Sequence, residues 1–225
     1  MKKLLYLKYL FLIWKNWNFR LAKFTISHEI AGEKKYQINT TGIDKLKKLS
    51  VVGDNKKHAS IYQGANYYIL EKAFDFLKEE KAGGTIVDFG SGKGRIMVVA
   101  AFYGYKQIKG IEFASALNQI AQTNIDLIKE NYPETKFSLL TQNAIDYEVE
   151  REDTIFFFFN PFNEKVLIEV VRNIMKSLKY YPRKIYIVYI NPLHKEIFES
   201  AGFFEEYYLS KLEYLELSVM TYLPE

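Results

Sequence analysis

A chain of 225 residues that is 48% hydrophobic and 16% aromatic can bury a full core, and with 5 prolines it has no Pro-rich or low-complexity spacer. Zero cysteines exclude disulfides and thiolate metal sites, and His28, His58 and His194 are too scattered to form a metal-ligand spacing. The net charge of +4 is unevenly spread: residues 1–57 carry 13 Lys/Arg and 4 Asp/Glu, net +9, and the remaining 168 carry 18 and 23, net −5. This pattern predicts a basic N-terminal extension, residues 1–57, attached to a mildly acidic body, residues 58–225.

Met1 to Trp17 begins like a signal peptide, but Lys8 interrupts the apolar run and no small-residue cleavage site follows Trp17. Leu4 to Ile13 is about half a membrane span. Secretion and membrane contact are therefore disfavoured, and the lack of cysteine suits a reducing cytoplasm. A helix is expected, with Lys8 and Lys15 on a narrow polar stripe and an aromatic-aliphatic face elsewhere. That face is expected to pack on the body or on a second copy, making a homo-oligomer. Basic arms also follow nucleic-acid phosphates, although short ones are more often simply solvated.

His58 to Tyr68 leads into a helix over 69–78, and Tyr62, Gln63 and Tyr67 or Tyr68 are candidates for lining a pocket. With 18 tyrosines in the chain, any one of them is more often ordinary packing.

The decisive stretch is Ile86-Val87-Asp88-Phe89-Gly90-Ser91-Gly92-Lys93-Gly94-Arg95, a buried strand running through a glycine turn into a helix over 96–102. The spacing is Gly-x-Gly-x-Gly, where a dinucleotide site would have Gly-x-Gly-x-x-Gly, so a pyrophosphate ligand is disfavoured. A second strand, Lys109 to Glu112, ends in an acid 24 residues after Asp88. A carboxylate there can accept hydrogen bonds from both ribose hydroxyls of an adenosine; the plain alternative is a solvated strand-end charge.

Ala114 to Asn131 has apolar residues at helical spacing, and Phe137 to Leu140 reads as a third strand followed by Gln142-Asn143-Ala144-Ile145-Asp146. Asp146 could cap a helix there. Thr154 to Phe159 contains four consecutive phenylalanines, as a parallel strand buried on both faces requires, and ends in Asn160-Pro161-Phe162. Asn-Pro is a common turn initiator, which is the ordinary reading of that tripeptide. A helix over 162–178, a strand over 184–190, a loop and helix over 191–202 and two strands over 203–211 and 214–223 complete the chain. Strands alternating with helices argue for an α/β fold with a largely parallel sheet covered on both sides.

From Asp88 to Glu112, with Asn160 to Phe162 behind, the chain resembles the class I S-adenosylmethionine-dependent methyltransferases; the likeness spans roughly Tyr62 to Leu223. Gly-Ser-Gly-Lys-Gly-Arg is similar to the same motif in the non-SET protein lysine methyltransferases and in bacterial class I members without an assigned substrate. The resemblance implies a Rossmann-like seven-stranded sheet of order 3-2-1-4-5-7-6, strand 7 antiparallel, helices on both faces, and S-adenosyl-L-methionine as cofactor. It implies cofactor binding by Asp88, Gly90, Ser91, Gly92, Gly94, Glu112, Phe113, Asn143 and Tyr62, with no metal. In families that methylate amino groups an Asn/Asp-Pro-Pro-aromatic tetrad orients the acceptor. Here Asn-Pro-Phe lacks the second proline, which puts a nucleobase substrate in doubt more than methyl transfer.

The implied catalytic residues are Asn160 and Phe162, with in-line displacement as the mechanism and Asp146 and Glu164 as bases by sequence proximity alone. Protein lysine is the favoured acceptor; a nucleic acid, a small molecule, or cofactor binding without catalysis are the alternatives.

Overall fold

The computed structural model describes residues 2–44 and 62–224, with the side chains of residues 2, 43, 44 and 62 left aside. The expected boundary at 57/58, together with His58, lies outside the described residues.

The extension forms a helical hairpin. Helix α1 (Lys2–Asn16) turns through Asn18, whose side-chain oxygen accepts the Leu21 N–H at 2.8 Å and so caps α2 (Phe19–Tyr36). Tyr9 and Ile13 bury against Leu21, Ala22 and Ile26. Short strands β1 (Ile43–Asp44) and β2 (Tyr62–Gln63) pair antiparallel, and Asn66 then caps α3 (Tyr67–Glu79). The helix expected over 69–78 thus starts earlier, with Tyr67 and Tyr68 inside it.

The body alternates as read from sequence: β3 (Thr85–Phe89), α4 (Arg95–Phe102), β4 (Gln107–Glu112), α5 (Ser115–Ile128), β5 (Lys136–Thr141), β6 (Asp153–Phe158), α6 (Glu164–Tyr180), β7 (Ile185–Ile190), α7 (Lys195–Ser200), β8 (Phe204–Lys211) and β9 (Leu215–Tyr222). The sheet order is β5-β4-β3-β6-β7-β9-β8, parallel except for β9, which runs antiparallel to both of its neighbours. Counted from β3 this is 3-2-1-4-5-7-6, the predicted topology.

The phenylalanine run of β6 shows why this strand is central. Its side chains alternate: Phe157 joins Ile86, Val188 and the α3 and α4 residues on one face, while Phe156 and Phe158 join Phe89, Ile187 and the α6 residues on the other. Both sets are fully buried, which at about 25 cal/mol per Å² of apolar surface makes this strand a principal source of stability. Helices α3 and α4 cover the first face and α6 and α7 the second, leaving the carboxyl ends of β3, β4, β6 and β7 along one edge, where ligands bind in open α/β sheets.

Candidate cofactor and acceptor site

Three glycines of the loop after β3 are left-handed, Gly90, Gly92 and Gly94, at φ 76°, 53° and 78°. At Gly90 space forbids a side chain as well, because a Cβ would lie 2.4 Å from the Pro161 Cβ. The glycine loop and the Asn160-Pro161-Phe162 turn therefore press against each other.

Beneath the loop sit two acids. Asp88 and Glu112 are 1% and 5% exposed. Glu112 accepts the Gly92 N–H on Oε2 at 3.0 Å and the Ala114 N–H on Oε1 at 2.9 Å, tying the end of β4 to the glycine loop. The Phe113 N–H also points at this carboxylate, and its remaining acceptor capacity is what a ligand can use. Burial raises the Glu112 pKa, against backbone donation from Ala114, Gly92 and Phe113. Asp88 has a stronger shift in the same direction: burial first, then the Glu112 charge, pushes its carboxyl well above the ordinary range. Among the described residues its Oδ2 has no hydrogen-bond partner, nor do the buried Ser91 Oγ, Asn118 Oδ1 and Asn160 Oδ1. Unpaired polar atoms are costly inside proteins, and these gather at the ligand edge of the sheet.

Arg95, directly after the loop, turns away from this cradle. Its guanidinium makes a bidentate pair with Glu29 of α2, both N···O distances being 2.7 Å, and also donates to Thr40 Oγ1 at 2.8 Å. It lies 4.1 Å over the Tyr67 ring. Gly32 lets α2 come this close, since a Cβ there would fall 2.3 Å from Tyr67 Cγ. The N-terminal hairpin is thereby locked onto the first turn of α4.

Across the same edge lies a pocket of about 180 Å³. Tyr9 and Ile13 of α1, with Leu21 and Glu29 of α2, form one wall; Phe159, Ile190 and Asn191 at the ends of β6 and β7 form the floor, and Tyr214 and Leu215 the far side. Asn160 stands between pocket and cradle: its predecessor Phe159 lines the pocket and its successor Pro161 abuts Gly90. Its backbone is left-handed, φ 41°, and its Nδ2 donates to the Asn191 carbonyl at 2.6 Å, so its unpartnered Oδ1 is fixed in orientation.

No protein-family model matches the chain, and no curated protein does. Solved structures do. Magnesium protoporphyrin IX methyltransferase (ChlM) from Synechocystis PCC 6803, solved with bound SAM, superposes with a TM-score of 0.55 at 11% identity, over 70% of this chain and 79% of that one. The methyltransferase domain of bacterial CtHen1 gives 0.55 at 13%, over 71% and 100%. Ribosomal protein L11 methylase from Lactobacillus delbrueckii subsp. bulgaricus gives 0.51 at 13%, over 69% and 79%. The fold is that of the class I S-adenosylmethionine-dependent methyltransferases. At these identities the likeness speaks for the fold, and the site must be argued from this chain's own residues.

Set against the sequence reading, the structure brings Asp88, Gly90, Ser91, Gly92, Gly94 and Glu112 together around one loop. Phe113 follows Glu112 at its rim, half-buried. Asn143 ends up as the cap of a single 3-10 turn, Ala144–Asp146, its Oδ1 receiving the Ile145 N–H at 3.4 Å; the capping role considered for Asp146 is therefore filled by Asn143. Asp146 and Glu164 are both exposed. Phe162 is half-buried, its ring edge-on to Phe89 and Phe158 at 6.5 and 6.2 Å, so it is anchored in the core below the turn.

Of the tyrosines considered for the pocket, Tyr67 is buried under Arg95 and Tyr68 packs on Phe24 and His28, so neither lines it, whereas Gln63 does. The Tyr62 side chain lies outside the described residues. Sequence reasoning missed Glu29, Asn191 and Tyr9. The sole available signal was that Glu29 is the first acid in a strongly basic segment.

Proposed function

We propose that this protein is an S-adenosylmethionine-dependent methyltransferase acting on nitrogen, with the lysine side chain of a protein as the favoured acceptor. Residues 58–225 are the catalytic domain, and residues 1–57 an extension that walls the acceptor pocket. The observation that carries the reading is the pair of buried acids, Asp88 and Glu112, under a glycine loop. A phosphate ligand would be repelled there, and the adjacent Arg95 is engaged by Glu29. A ligand with an ammonium group and a ribose diol suits both acids.

When bound, S-adenosylmethionine supplies a methyl group on a positively charged sulfur. Asp88 would hold the ammonium of its amino-acid part, and Glu112 the two ribose hydroxyls through the remaining lone pairs. Gly90, Gly92 and Gly94 let the backbone approach the ligand, with Ser91, Phe113 and Asn143 along its length. Tyr62 is assigned to the cofactor site by the sequence resemblance.

The chain's own contribution to transfer is positioning and exclusion of water. Asn160 Oδ1 accepts an N–H of the incoming amine and aims its lone pair, while Tyr9, Ile13, Phe159 and Tyr214 keep the path dry. An exposed lysine titrates near about 10.4, and burial beside Tyr9, Ile13 and Phe159 favours its neutral, nucleophilic form. Phe162 supports the turn that presents Asn160. The solved structures name different acceptors, a porphyrin in one and a ribosomal protein in another, so the acceptor reading rests on the narrow aromatic pocket.

The test is transfer of a labelled methyl group to cell extract, separated into protein, RNA, DNA and small molecules. Label in protein, recovered as N-methyllysine after hydrolysis, is the expected result. Label confined to nucleic acid or small molecules would overturn the acceptor, and absence of label in every fraction would overturn catalysis.

A further inference from the structure

Helix α1 has two apolar sides, and one of them is covered. Tyr9 and Ile13 face the interior. On the other side Leu4, Leu7, Phe11 and Trp14 are 58%, 52%, 53% and 48% exposed. At 3.6 residues per turn these four fall within an arc of about 80°. Trp14 packs on Phe11 at 5.8 Å and edge-on to Phe19 at 5.5 Å, so an aromatic cluster is already assembled at the surface. Trp17, just past the helix, is also exposed.

The charges that α1 and the start of α2 carry are of one sign. Lys3 borders it on one side and Lys8 and Lys15 on the other, all exposed, with exposed Arg20 and Lys23 on α2. No acid precedes Glu29, which is buried against Arg95. An apolar stripe with tryptophan, flanked by lysines and free of acids, has the form of a helix that lies in a lipid interface.

Against the sequence expectation, which disfavours membrane contact, we propose that α1 docks on an anionic bilayer surface, with Leu4, Leu7, Phe11 and Trp14 at the acyl boundary and Lys3, Lys8 and Lys15 on the headgroups. Among the described residues no helix is long and apolar enough to cross a membrane, so the helix lies in the interface. A second copy on the same face would bring two lysine rows together, which like-charge repulsion disfavours. A nucleic acid would satisfy the lysines and leave the aliphatic stripe in water. Trp17, just past the end of α1, lines the pocket, so docking of α1 would hold the pocket near the interface. The proposal stands independently of methyl transfer.

Trp14 and Trp17 are the chain's 2 tryptophans, so intrinsic emission reports on the stripe and on the end of α1. The full chain is sedimented with vesicles of phosphatidylcholine plus phosphatidylserine, and with phosphatidylcholine alone. Expected are binding to the anionic vesicles, weakening with added salt, and a blue shift of emission. Phe11→Ser with Trp14→Ser should reduce partitioning at least tenfold with an unchanged thermal midpoint. Any of four results would overturn the proposal: no sedimentation at low salt; sedimentation with unshifted emission and no effect of the double variant; a lipid-free dimer that buries the tryptophans; or tight binding to RNA by protein that ignores vesicles.

Discussion

Asn160 and Asn191 close the adjacent strands β6 and β7 in the same left-handed conformation, φ 41° and 50°, and the side-chain amide of the first donates to the main-chain carbonyl of the second. Asn191 is in turn held by β9, its Oδ1 accepting the Glu216 N–H at 3.0 Å. The bond uses one of the two N–H donors of the Asn160 amide, and among the described residues its Oδ1 has no hydrogen-bond partner. Asparagine suits this place twice over, since it tolerates the left-handed region and carries the acceptor.

Glycine separates those two contributions. Asn160→Gly keeps the backbone and removes the amide, so stability should stay close to wild type while turnover falls by roughly 10 to 1,000-fold, as when a positioned polar contact at a reacting centre is lost. Asn160→Ala should in addition cost about 1–2 kcal/mol of stability through left-handed strain. Cofactor affinity should change little in either. Equal turnover per folded molecule in the glycine variant and wild type would remove Asn160 from the chemistry.

Asp88→Asn should move stability and binding in opposite directions. The buried Asp88 carboxyl has a raised pKa in the folded protein, so the folded state holds its proton where the unfolded chain, near about pH 4, has released it. Stability from this group is present at low pH and lost as pH rises through the folded pKa. The asparagine variant lacks that loss, so its advantage in thermal midpoint should be small in acid and grow toward neutral pH. Its affinity for S-adenosylmethionine should fall at least tenfold. A variant destabilised at neutral pH, or one that binds as wild type, would contradict the assignment.

Glu29→Ala leaves the Arg95 guanidinium buried without its bidentate partner, and should destabilise the protein by about 3–5 kcal/mol in urea denaturation. Combining it with Arg95→Met should recover a substantial part of the loss, because the orphaned charge is gone. A single variant as stable as wild type would show that the hairpin is not held through this pair.

Much of this was legible in the sequence. The alternation of apolar runs gave the strands and helices, Gly-x-Gly-x-Gly placed the loop, and the acid ending Lys109 to Glu112 lies beside that loop, because parallel strands align their carboxyl ends. What stayed hidden involves contacts between distant segments. Arg95 reads as a basic residue after the loop, and only the packing of α2 shows that it is spent on Glu29, 66 residues away. Asn191 reads as a strand end, and its bond to Asn160 follows from β6 and β7 lying side by side. Asn143 reads as a polar residue after the third strand, and only the local backbone shows that its oxygen also caps the 3-10 turn.

Calorimetric titration of the full chain with S-adenosylmethionine, with NAD as the control ligand, tests the central claim most directly. The account predicts one site for S-adenosylmethionine and no heat with NAD. Glu112→Ala should lose two hydrogen bonds to a charged acceptor, each worth about 1.5–3 kcal/mol, and so weaken binding by more than about 100-fold. Binding of NAD without S-adenosylmethionine, or wild-type affinity in the Glu112 variant, would contradict it.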